Sequence, residues 1–440
     1  MSIKALKFGG SSLADAEHFK KVAAIIKADE SRRYVVASAP GKRYADDIKV
    51  TDMLYACFKA VRKKQDIEPH FAKIEQRYNQ IISELGIDFS LDEEFAKIKY
   101  AINHYVGEDY IASRGEYLNS MILAKYLGFD FIDAEDGIFF KENGTFDSER
   151  TNDELSAILA EHDKAVIPGF YGTMPNGTIK TFSRGGSDIT GSIVARAVDA
   201  ELYENWTDVS GMLMADPRIV KNPKVIRVIT YNELRELSYM GATVLHDEAI
   251  FPVREARIPI NIRNTNAPED EGTMIVPFAD KPNENVITGV AGKVGFSIIN
   301  IDKSMMNSEV GFGKKVLKVI ENHEICFEHL PSGIDTMSVV VSTSDIDAIR
   351  EDMVNEMFRK TKADYINIED GLALIAVVGR SMVSQIGTAG RVFSALGNAG
   401  VNIKMIDQGS SELSIIVGVN EAEYATTINA IYKEFVKTNE

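Results

Sequence analysis

Short apolar runs alternate with amphipathic stretches along roughly the first 280 residues of the chain. The apolar runs predict strands at 3–8, 34–38, 129–132, 165–168, 200–206 and 258–262. Between 51 and 127, apolar residues recur at spacings of three and four among long charged side chains, which predicts a layer of helices. Strands that alternate with helices over this length predict an α/β fold, a three-layer sandwich around a mostly parallel central sheet.

The chain repeats itself after a polar, proline-bearing stretch at 266–285, which we interpret as a domain boundary. Matching residues recur at an offset of 76 positions, for example Met306 with Met382 and Gly311 with Gly387. In the first copy the pattern predicts strands and helices at 296–301, 312–322, 325–329, 337–341 and 345–358. This order is typical of a ferredoxin-like βαββαβ module, used here twice. We therefore predict domains at 1–285, 286–365 and 366–440, and exchange of a strand between the last two stays open.

Composition and charge limit the classes of partner. The 440 residues are 45% hydrophobic and 26% charged, as in ordinary globular proteins. The 49 basic and 65 acidic residues give a net charge of −16, which argues against nucleic acid or an anionic membrane as the main partner. Two cysteines, an N-terminus without the apolar core of a signal peptide and no apolar run of about 20 residues predict a cytoplasmic protein.

Glycines, hydroxyl groups and charges concentrate at the ends of predicted strands, where open α/β sheets bind ligands. Lys7 precedes a glycine turn at 9–12, whose backbone N–H groups can approach an anion. At 183–190, Arg184 can hold a carboxylate in two parallel hydrogen bonds, and Ser187 or Asp188 can cap the following helix. Asp188 beside a phosphate-binding turn indicates a metal ion or an ammonium group nearby.

Two further motifs lie at 206–218 and 113–116. Thr207, Asp208 and Arg218 offer the hydroxyl, acid and cation that suit the sugar and phosphates of a nucleotide, and Glu116 follows Arg114 and Gly115. Each motif also has a plainer interpretation: a tight turn with a solvated lysine, a capped helix start, a simple Asp-Pro-Arg turn, or a solvated helix acid. Together they favour a polyanion screened by Mg²⁺, and hence phosphoryl transfer, which depends on positioning and charge neutralisation.

Other kinase signatures are missing. A Walker P-loop would need glycine where Val36 and Ser308 stand, and the protein-kinase motifs do not occur. His246 has no spacing that suggests a metal pair, so we interpret it as structural.

In this order, the motifs resemble those of aspartate kinases in the amino acid kinase superfamily. The matching segments are 7–12, 115–116, 169–170, 183–188, 206–209, 216–218 and 244–246. The doubled C-terminal module resembles the tandem ACT domains of that family. The resemblance implies an enzyme that uses ATP and Mg²⁺ to phosphorylate the side-chain carboxylate of L-aspartate, the first step toward lysine, threonine and methionine.

The resemblance also assigns roles to residues. In the phosphoryl-transfer centre it places Lys7, Gly9, Gly10 and Asp188. In the aspartate pocket it places Ser38, Thr51, Glu116, Phe170, Arg184 and Ser187, with Arg184 on the α-carboxylate and Glu116 on the α-ammonium group. For ATP it implies Lys7, Gly10, Ser11, Thr207, Asp208, Asp216 and Arg218. The acids that hold Mg²⁺ are not assigned. Two departures affect the nucleotide contacts: Leu213 stands where many members have tyrosine, and Thr243 where a lysine is common.

The ACT modules imply feedback by an end product, with lysine favoured over threonine. The stretch that matches the effector site contains Met306, Gly311, Phe312, Gly313, Phe327, Glu328, Ser332 and Asp335. Plain turns are the alternative interpretation of these loops. ACT pairing across subunits predicts a homodimer or homotetramer. Two rival functions stay open: a related carboxylate kinase that uses glutamate, and a non-catalytic amino-acid sensor that only binds nucleotide.

Overall fold

The chain folds into two compact units. A computed structural model describes residues 2–183, 185–242, 245, 247–279 and 285–436. The first unit comprises Met1–Met212, Val225–Tyr231 and Thr243–Ala279, and the second comprises Leu213–Lys224, Asn232–Ala242 and Asp280–Glu440. Arg184, Thr243 and His246, which the sequence singles out, lie outside the described residues.

The strands of the N-terminal part are short. They are β1 (Lys4–Phe8), β2 (Arg32–Ala37), β3 (Asp130–Phe131), β4 (Ala165–Pro168), β5 (Tyr171–Thr173), β6 (Ile179–Thr181), β7 (Leu202–Thr207), β8 (Val228–Thr230), β9 (Ile260–Asn264) and β10 (Thr273–Val276). The helices between them are α1 (Ala16–Lys27), α2 (Val50–Arg62), α3 (Glu68–Leu85), α4 (Asp92–Asn103), α5 (Glu108–Leu127), α6 (Ala134–Gly137), α7 (Ser148–Ala160), α8 (Gly186–Ala197), α9 (Tyr231–Tyr239) and α10 (Phe251–Glu255).

The central sheet of the first unit runs in the order β3-β4-β2-β1-β7-β9-β10-β8. Its pairings are parallel except that between β9 and β10, which confirms the predicted α/β fold. Strand β1 lies near the middle, with Lys7 in register with Val36 on one side and Asn205 on the other. The carboxyl ends of β1, β2 and β7 therefore meet at one edge, where the candidate residues stand.

Some strands escaped the sequence prediction. Strands β5 and β6 form a separate antiparallel hairpin, and β8 and β10 complete one side of the central sheet. Each is only three or four residues long, too short to show a clear period in hydrophobicity.

Helix α5 is buried around most of its circumference. Its apolar residues join the main core with Phe8 and Trp206 of the sheet. The helix also buries polar side chains, namely Ser113, Arg114, Glu116, Asn119 and Ser120. Buried polar groups on a core helix are costly unless they have partners, so this helix marks a place to look for function. No described helix has both the length and the apolar character needed to cross a membrane.

The second unit is built from the repeated modules. Its strands are β11 (Gly289–Asp302), β12 (Phe327–His329), β13 (Thr336–Ser342), β14 (Tyr365–Val378), β15 (Ile403–Asp407) and β16 (Ser414–Asn420). Its further helices are α11 (Phe312–Asn322), α12 (Thr343–Ile346), α13 (Arg350–Thr361), α14 (Thr388–Asn398) and α15 (Tyr424–Phe435). The sheet order is β12-β13-β11-β14-β16-β15, so the three strands of the first copy and the three equivalent strands of the second are arranged symmetrically about the centre of the sheet.

The repeat in sequence reappears as a repeat in structure. Strands β11 and β14, and likewise helices α11 and α14, begin and end at positions that differ by the same 76 residues. The two long strands pair antiparallel along their length, so the start of β11 lies against the end of β14. Each long strand thus serves both modules. The paired ferredoxin-like fold that the sequence predicts is confirmed.

Candidate active site

Two glycine turns approach each other at the carboxyl edge of the sheet. A Cβ on Gly10 would lie 2.7 Å from Ala39 O, and one on Gly41 would lie 2.7 Å from the Gly10 carbonyl carbon. The Gly41 N–H donates to Gly10 O at 2.8 Å. These contacts leave no room for side chains, which explains both glycines. The Gly9 N–H donates to Trp206 O at 3.1 Å, so this amide is engaged in the fold rather than offered to a ligand.

Lys7 and Asp188 form an ion pair beside the glycine turn. Lys7 Nζ lies 2.7 Å from Asp188 Oδ1, and Lys7 is only 8% exposed. Asn205 Nδ2 donates to the same carboxylate oxygen at 2.8 Å. The sequence predicted a metal ion or an ammonium group near Asp188, and the structure places the Lys7 ammonium group there. A Cβ on Gly9 would lie 3.6 Å from Lys7 Nζ, an ordinary van der Waals contact, so the turn passes directly beside the ammonium group.

Glu116 is a buried carboxylate on helix α5. It is 6% exposed, and its Oε2 atom has no hydrogen-bond partner among the described residues. Burial raises the pKa of Glu116 to about 8, although the Ala39 backbone and the Arg114 guanidinium both act to lower it. The Glu116 carboxyl group therefore carries a proton near neutral pH, and binding of a cation beside it would favour the charged form.

The helix approaches strand β2 closely at this point. A Cβ on Gly115 would lie 2.8 Å from Ala39 Cβ, so only glycine allows α5 to pack there. Asn119 Nδ2 donates to Ser38 O at 2.7 Å, while the Asn119 Oδ1 atom has no partner among the described residues. Ser38 is half-buried just after β2, and Thr51 is half-buried at the start of α2. The described part of the predicted aspartate pocket thus combines hydroxyl groups with unpaired acceptors.

Phe170 and Ser187 occupy facing turns. Phe170 has a φ of +84°, which is strained for a bulky residue and marks a constrained position. Its N–H donates to Thr190 Oγ1 at 3.0 Å. A Cβ on Gly186 would lie 2.5 Å from Phe170 Cδ2, and one on Gly169 would lie 2.7 Å from Ser187 Oγ. The turn after β4 and the start of α8 are therefore locked together.

One prediction about helix α8 is wrong. We expected Ser187 or Asp188 to cap its N-terminus, but the helix begins at Gly186 and its N-cap is Gly185, which makes no side-chain cap bond. The physical reason is the backbone: Gly185 has a φ of +57°, a left-handed conformation that glycine adopts freely. Asp188 is thereby released to pair with Lys7.

The predicted nucleotide residues fall in different units. Thr207 ends β7 in the first unit, where its carbonyl accepts from the Thr265 N–H at 2.9 Å. Asp208 follows and accepts a hydrogen bond from Thr207 Oγ1 at 3.2 Å. Asp216 and Arg218 belong to the second unit, where they pair with each other and Arg218 is largely exposed.

The predicted effector residues lie in two loops of the first of the repeated C-terminal modules. The Lys303 and Met305 N–H groups donate to Asp335 O and Oδ1, at 2.8 and 2.9 Å, so the two loops are joined. Gly311 caps α11, followed by Gly313, and Ser332 bridges to Met337. Met306 and Phe312 are buried in the module's core. Phe327 is exposed, and Glu328 accepts a hydrogen bond from Tyr239 at 2.5 Å.

Several residues that shape the site were missed by sequence reasoning. Asn205, Asn119 and Thr190 orient Asp188, Ser38 and Phe170 respectively. Thr265 Oγ1 shares a buried 2.8 Å hydrogen bond with Ser12 Oγ, which ties the glycine turn to the end of β9. The available signal was a polar residue inside an apolar run, such as Asn205 within β7. Among the described residues, no group of three or more His, Cys, Asp or Glu side chains is arranged to hold a metal ion.

Comparisons with known proteins agree with this architecture. A model of the amino acid kinase family matches residues 2–264, and a model of the ACT domain matches residues 375–435. Aspartokinase 3 of Bacillus subtilis is 40% identical over 98% of both chains. The crystal structure of Clostridium acetobutylicum aspartate kinase is 49% identical, with a TM-score of 0.89, and the match covers 99% of this chain and 100% of that one.

A more distant structure shares the fold. Escherichia coli aspartokinase III, solved in complex with aspartate and ADP, has a TM-score of 0.74 at 22% identity, and the match covers 98% of this chain and 99% of that one. The chain therefore belongs to the aspartate kinases, members of the amino acid kinase family that carry C-terminal ACT domains.

Proposed function

We propose that the chain transfers the γ-phosphoryl group of ATP to the side-chain carboxylate of L-aspartate, with Lys7, Asp188 and Glu116 as the central residues. The observation that carries the proposal is the ion pair of buried Lys7 with half-buried Asp188, beside a turn that excludes side chains. Aspartate needs no general base, because its side chain has an ordinary pKa of about 3.9 and is ionised at neutral pH. What the protein supplies is position and neutralised charge.

Each residue then has a specific task. Lys7 neutralises charge on the transferring phosphoryl group, helped by the first amides of the turn at Gly10 and Ser11. Glu116 accepts hydrogen bonds from the substrate's α-ammonium group, and the lack of a partner for its Oε2 atom among the described residues supports this role. Ser38, Thr51, Phe170, Arg184 and Ser187 complete the aspartate pocket. Thr207, Asp208, Asp216 and Arg218 contact ATP. Gly9 shapes the turn through its bond to Trp206 O.

Mg²⁺ fits this site as an ion carried mainly by the nucleotide. The ion prefers oxygen ligands and commonly combines substrate phosphates with one or two carboxylates. Asp188 is one-fifth exposed, and Lys7 and Asn205 both bond to Oδ1. Asp188 Oδ2 is therefore the oxygen that would bind Mg²⁺. The bound ion would neutralise phosphate charge. Such sparse protein ligation agrees with the lack of a metal-binding cluster among the described residues.

Regulation is part of the proposal. Lysine, or threonine in its place, binds the loops of the first ACT module and inhibits the enzyme, and the chain forms a homodimer or homotetramer through these modules. The joined loops around Met305 and Asp335 support a single binding surface. We also propose a cytoplasmic location, because Cys57 and Cys326 are both free.

The test is an assay of amino-acid-dependent phosphorylation. Purified protein is given ATP, Mg²⁺ and hydroxylamine with either aspartate or glutamate, and ADP and hydroxamate are measured. Aspartyl hydroxamate formed together with ADP supports the proposal. Preference for glutamate would indicate the related carboxylate kinase, and nucleotide binding without either product would indicate a sensor. Repeating the assay with added lysine, threonine and both identifies the effector.

A further inference from the structure

Arg114 is a buried cation to which the proposed reaction gives no role. It is 4% exposed on helix α5, two residues before Glu116. Its guanidinium carbon lies 4.5 Å from the ring centroid of Tyr110, 4.4 Å from that of Tyr117 and 5.2 Å from that of Tyr171. A guanidinium at these distances from ring faces is held by cation–π attraction, which is strongest where water is excluded.

The polar contacts of this guanidinium are few. Nε and Nη2 donate to Ser113 Oγ at 3.1 and 3.0 Å, and no carboxylate among the described residues forms an ion pair with Arg114. Burial acts to lower the pKa of Arg114, but longer-range attraction to Asp133 and Glu135, together with the tyrosines, outweighs it and raises the pKa. A buried charge without a direct ion pair is expensive, so a purely structural purpose would be served better by an apolar side chain.

The aromatic cage joins two walls of the aspartate pocket. Tyr110 and Tyr117 stand four positions before and three after Arg114, so all three share one face of α5. Tyr171 begins β5 and directly follows Phe170, whose strained backbone is held against α8. Its hydroxyl donates to Asp133 Oδ1 at 2.6 Å, which fixes the ring. Arg114 therefore connects the helix that carries Glu116 to the strand that directly follows Phe170.

We propose that Arg114 is a positioning residue for aspartate binding: stacked between the three tyrosines, it fixes the rotation of α5 and the placement of Phe170, so that Glu116 faces the substrate ammonium group. This inference rests on the proposed function. Arg114 acts through its neighbours and does not touch the substrate. Because Glu116 and Arg114 point in different directions from the helix, rotation of α5 is the mechanical link between them.

The charge of Arg114 has a second effect on the same carboxylate. It favours the ionised form of Glu116, against the burial that raises the pKa of Glu116 to about 8. The groups that face Glu116 electrostatically include Arg114 and, from helices α2 and α3, Tyr55 and Tyr78. Aspartate binding needs the carboxylate form, so the KM for aspartate should fall as pH rises toward 8. Removal of the Arg114 charge should move this fall to higher pH.

The test compares Arg114→Met, Arg114→Lys and a control, Arg150→Met, in the full chain. Arg150 stacks on Phe139 at 3.8 Å and pairs with Glu154 on the exposed face of α7, so its loss removes a cation–π contact on a helix other than α5. For Arg114→Met we expect the KM for aspartate to rise about tenfold with the KM for ATP within about twofold, and the pH dependence to shift upward. Arg114→Lys should raise the KM while leaving the pH dependence in place, because the charge is kept but the planar stacking is lost.

Several outcomes overturn the inference. One is an unchanged KM for aspartate in both Arg114 variants, and another is a loss of active protein without a change in KM, which would indicate a merely structural role. An equal rise in the KM for aspartate in Arg150→Met would also overturn the inference. If Arg114→Met does not fold, Arg114→Lys alone decides through its KM. A wild-type enzyme that makes no aspartyl phosphate would reject the proposed function instead, so the two failures are distinguishable.

Discussion

Charged groups are treated differently at the candidate active site and in the first ACT module. At the site, buried Lys7 pairs with half-buried Asp188, and Glu116 is buried with one oxygen unpartnered among the described residues. In the ACT module, the pairs Lys315–Glu309 and Lys318–Glu321 lie on exposed surface. Both regions hold lysines and acids at similar distances, so proximity alone does not distinguish them.

The difference lies in the cost of removing water. A buried charge loses its hydration and destabilises the fold unless partners replace it, whereas an exposed pair contributes little in either direction. At the candidate site, where buried Glu116 has an oxygen without a partner among the described residues, we therefore interpret the buried charges as kept for a ligand. If this interpretation is right, substitutions at the buried charges should change activity strongly, and substitutions at the exposed pairs should change almost nothing.

Lys7→Ala should have the largest effect. It removes the cation proposed to neutralise the transferring phosphoryl group, and kcat should fall about 1000-fold. The matched control is Lys4→Ala on the same strand. Lys4 Nζ lies 2.7 Å from Asp29 Oδ2, and this pair is at the opposite end of the strand from the glycine turn. Steady-state hydroxamate assays measure both variants, and thermal unfolding checks that they fold. A kcat for Lys7→Ala within threefold of wild type would remove Lys7 from the mechanism.

Glu116→Gln should come next. The amide has the same shape but cannot balance an ammonium charge, so the KM for aspartate should rise about 100-fold while the KM for ATP stays nearly constant. Initial rates at varied aspartate and fixed saturating ATP give this value. An unchanged KM would show that another group binds the ammonium.

The same substitution should change stability with pH. The pKa of Glu116 is about 8 in the folded protein and has its ordinary value of 4.5 in the unfolded chain, so the folded state keeps this proton to a higher pH. Its contribution is therefore fully present below about pH 4.5 and is lost as pH rises through about 8. Urea unfolding should show that the free energy of unfolding of the wild-type protein declines between pH 5 and pH 8.5. In Glu116→Gln this decline should be smaller by roughly 2–4 kcal/mol. Identical pH profiles for the two proteins would contradict the burial argument.

Thr265→Val should have a smaller effect. It leaves Ser12 Oγ buried without its 2.8 Å partner and loosens the glycine turn. We expect a loss of about 1–2 kcal/mol in the free energy of unfolding and a rise of about threefold in the KM for ATP. Thr265→Ser keeps the hydroxyl and should restore both. Failure of the serine variant to do so would point to the methyl group rather than the hydrogen bond.

Lys318→Ala should have the smallest effect. Lys318 and Glu321 are both more than half exposed, so the expected change in the free energy of unfolding is within about 0.5 kcal/mol and uninhibited activity should be unchanged. Urea unfolding and the hydroxamate assay measure these quantities. A change comparable to that of Thr265→Val would show that exposure is a poor guide to function here.

Much of the fold could be predicted because its signals are repeated or strongly periodic. The 76-residue offset predicted both ferredoxin-like modules, and the ends of β11 and β14 obey it. Strands β5, β6, β8 and β10 could not be predicted, since three or four residues carry too little pattern, and β8 and β10 also depend on partners distant in sequence.

The candidate site was predictable only in part. Lys7 and Glu116 stood in motifs that the resemblance assigned, but their partners come from other strands and helices. Asn205 reaches Asp188 through strand pairing, and Tyr171 reaches Arg114 across the fold. The cap of α8 was predicted wrongly, because side-chain preference suggested Ser187 or Asp188 while the left-handed backbone at Gly185 decided the outcome. Such contacts follow from tertiary packing, which a single sequence does not display.

The central claim is that buried Glu116 is protonated before aspartate binds and loses this proton when it binds the ammonium group of aspartate. Calorimetric titration of aspartate at pH 7, in two buffers of different ionisation enthalpy, counts the protons released on binding. Because the pKa of Glu116 is about 8 in the empty site, the wild-type protein should release close to one proton per aspartate, and Glu116→Gln should release almost none. Binding without proton release in the wild type, or equal release in the two proteins, would contradict the account.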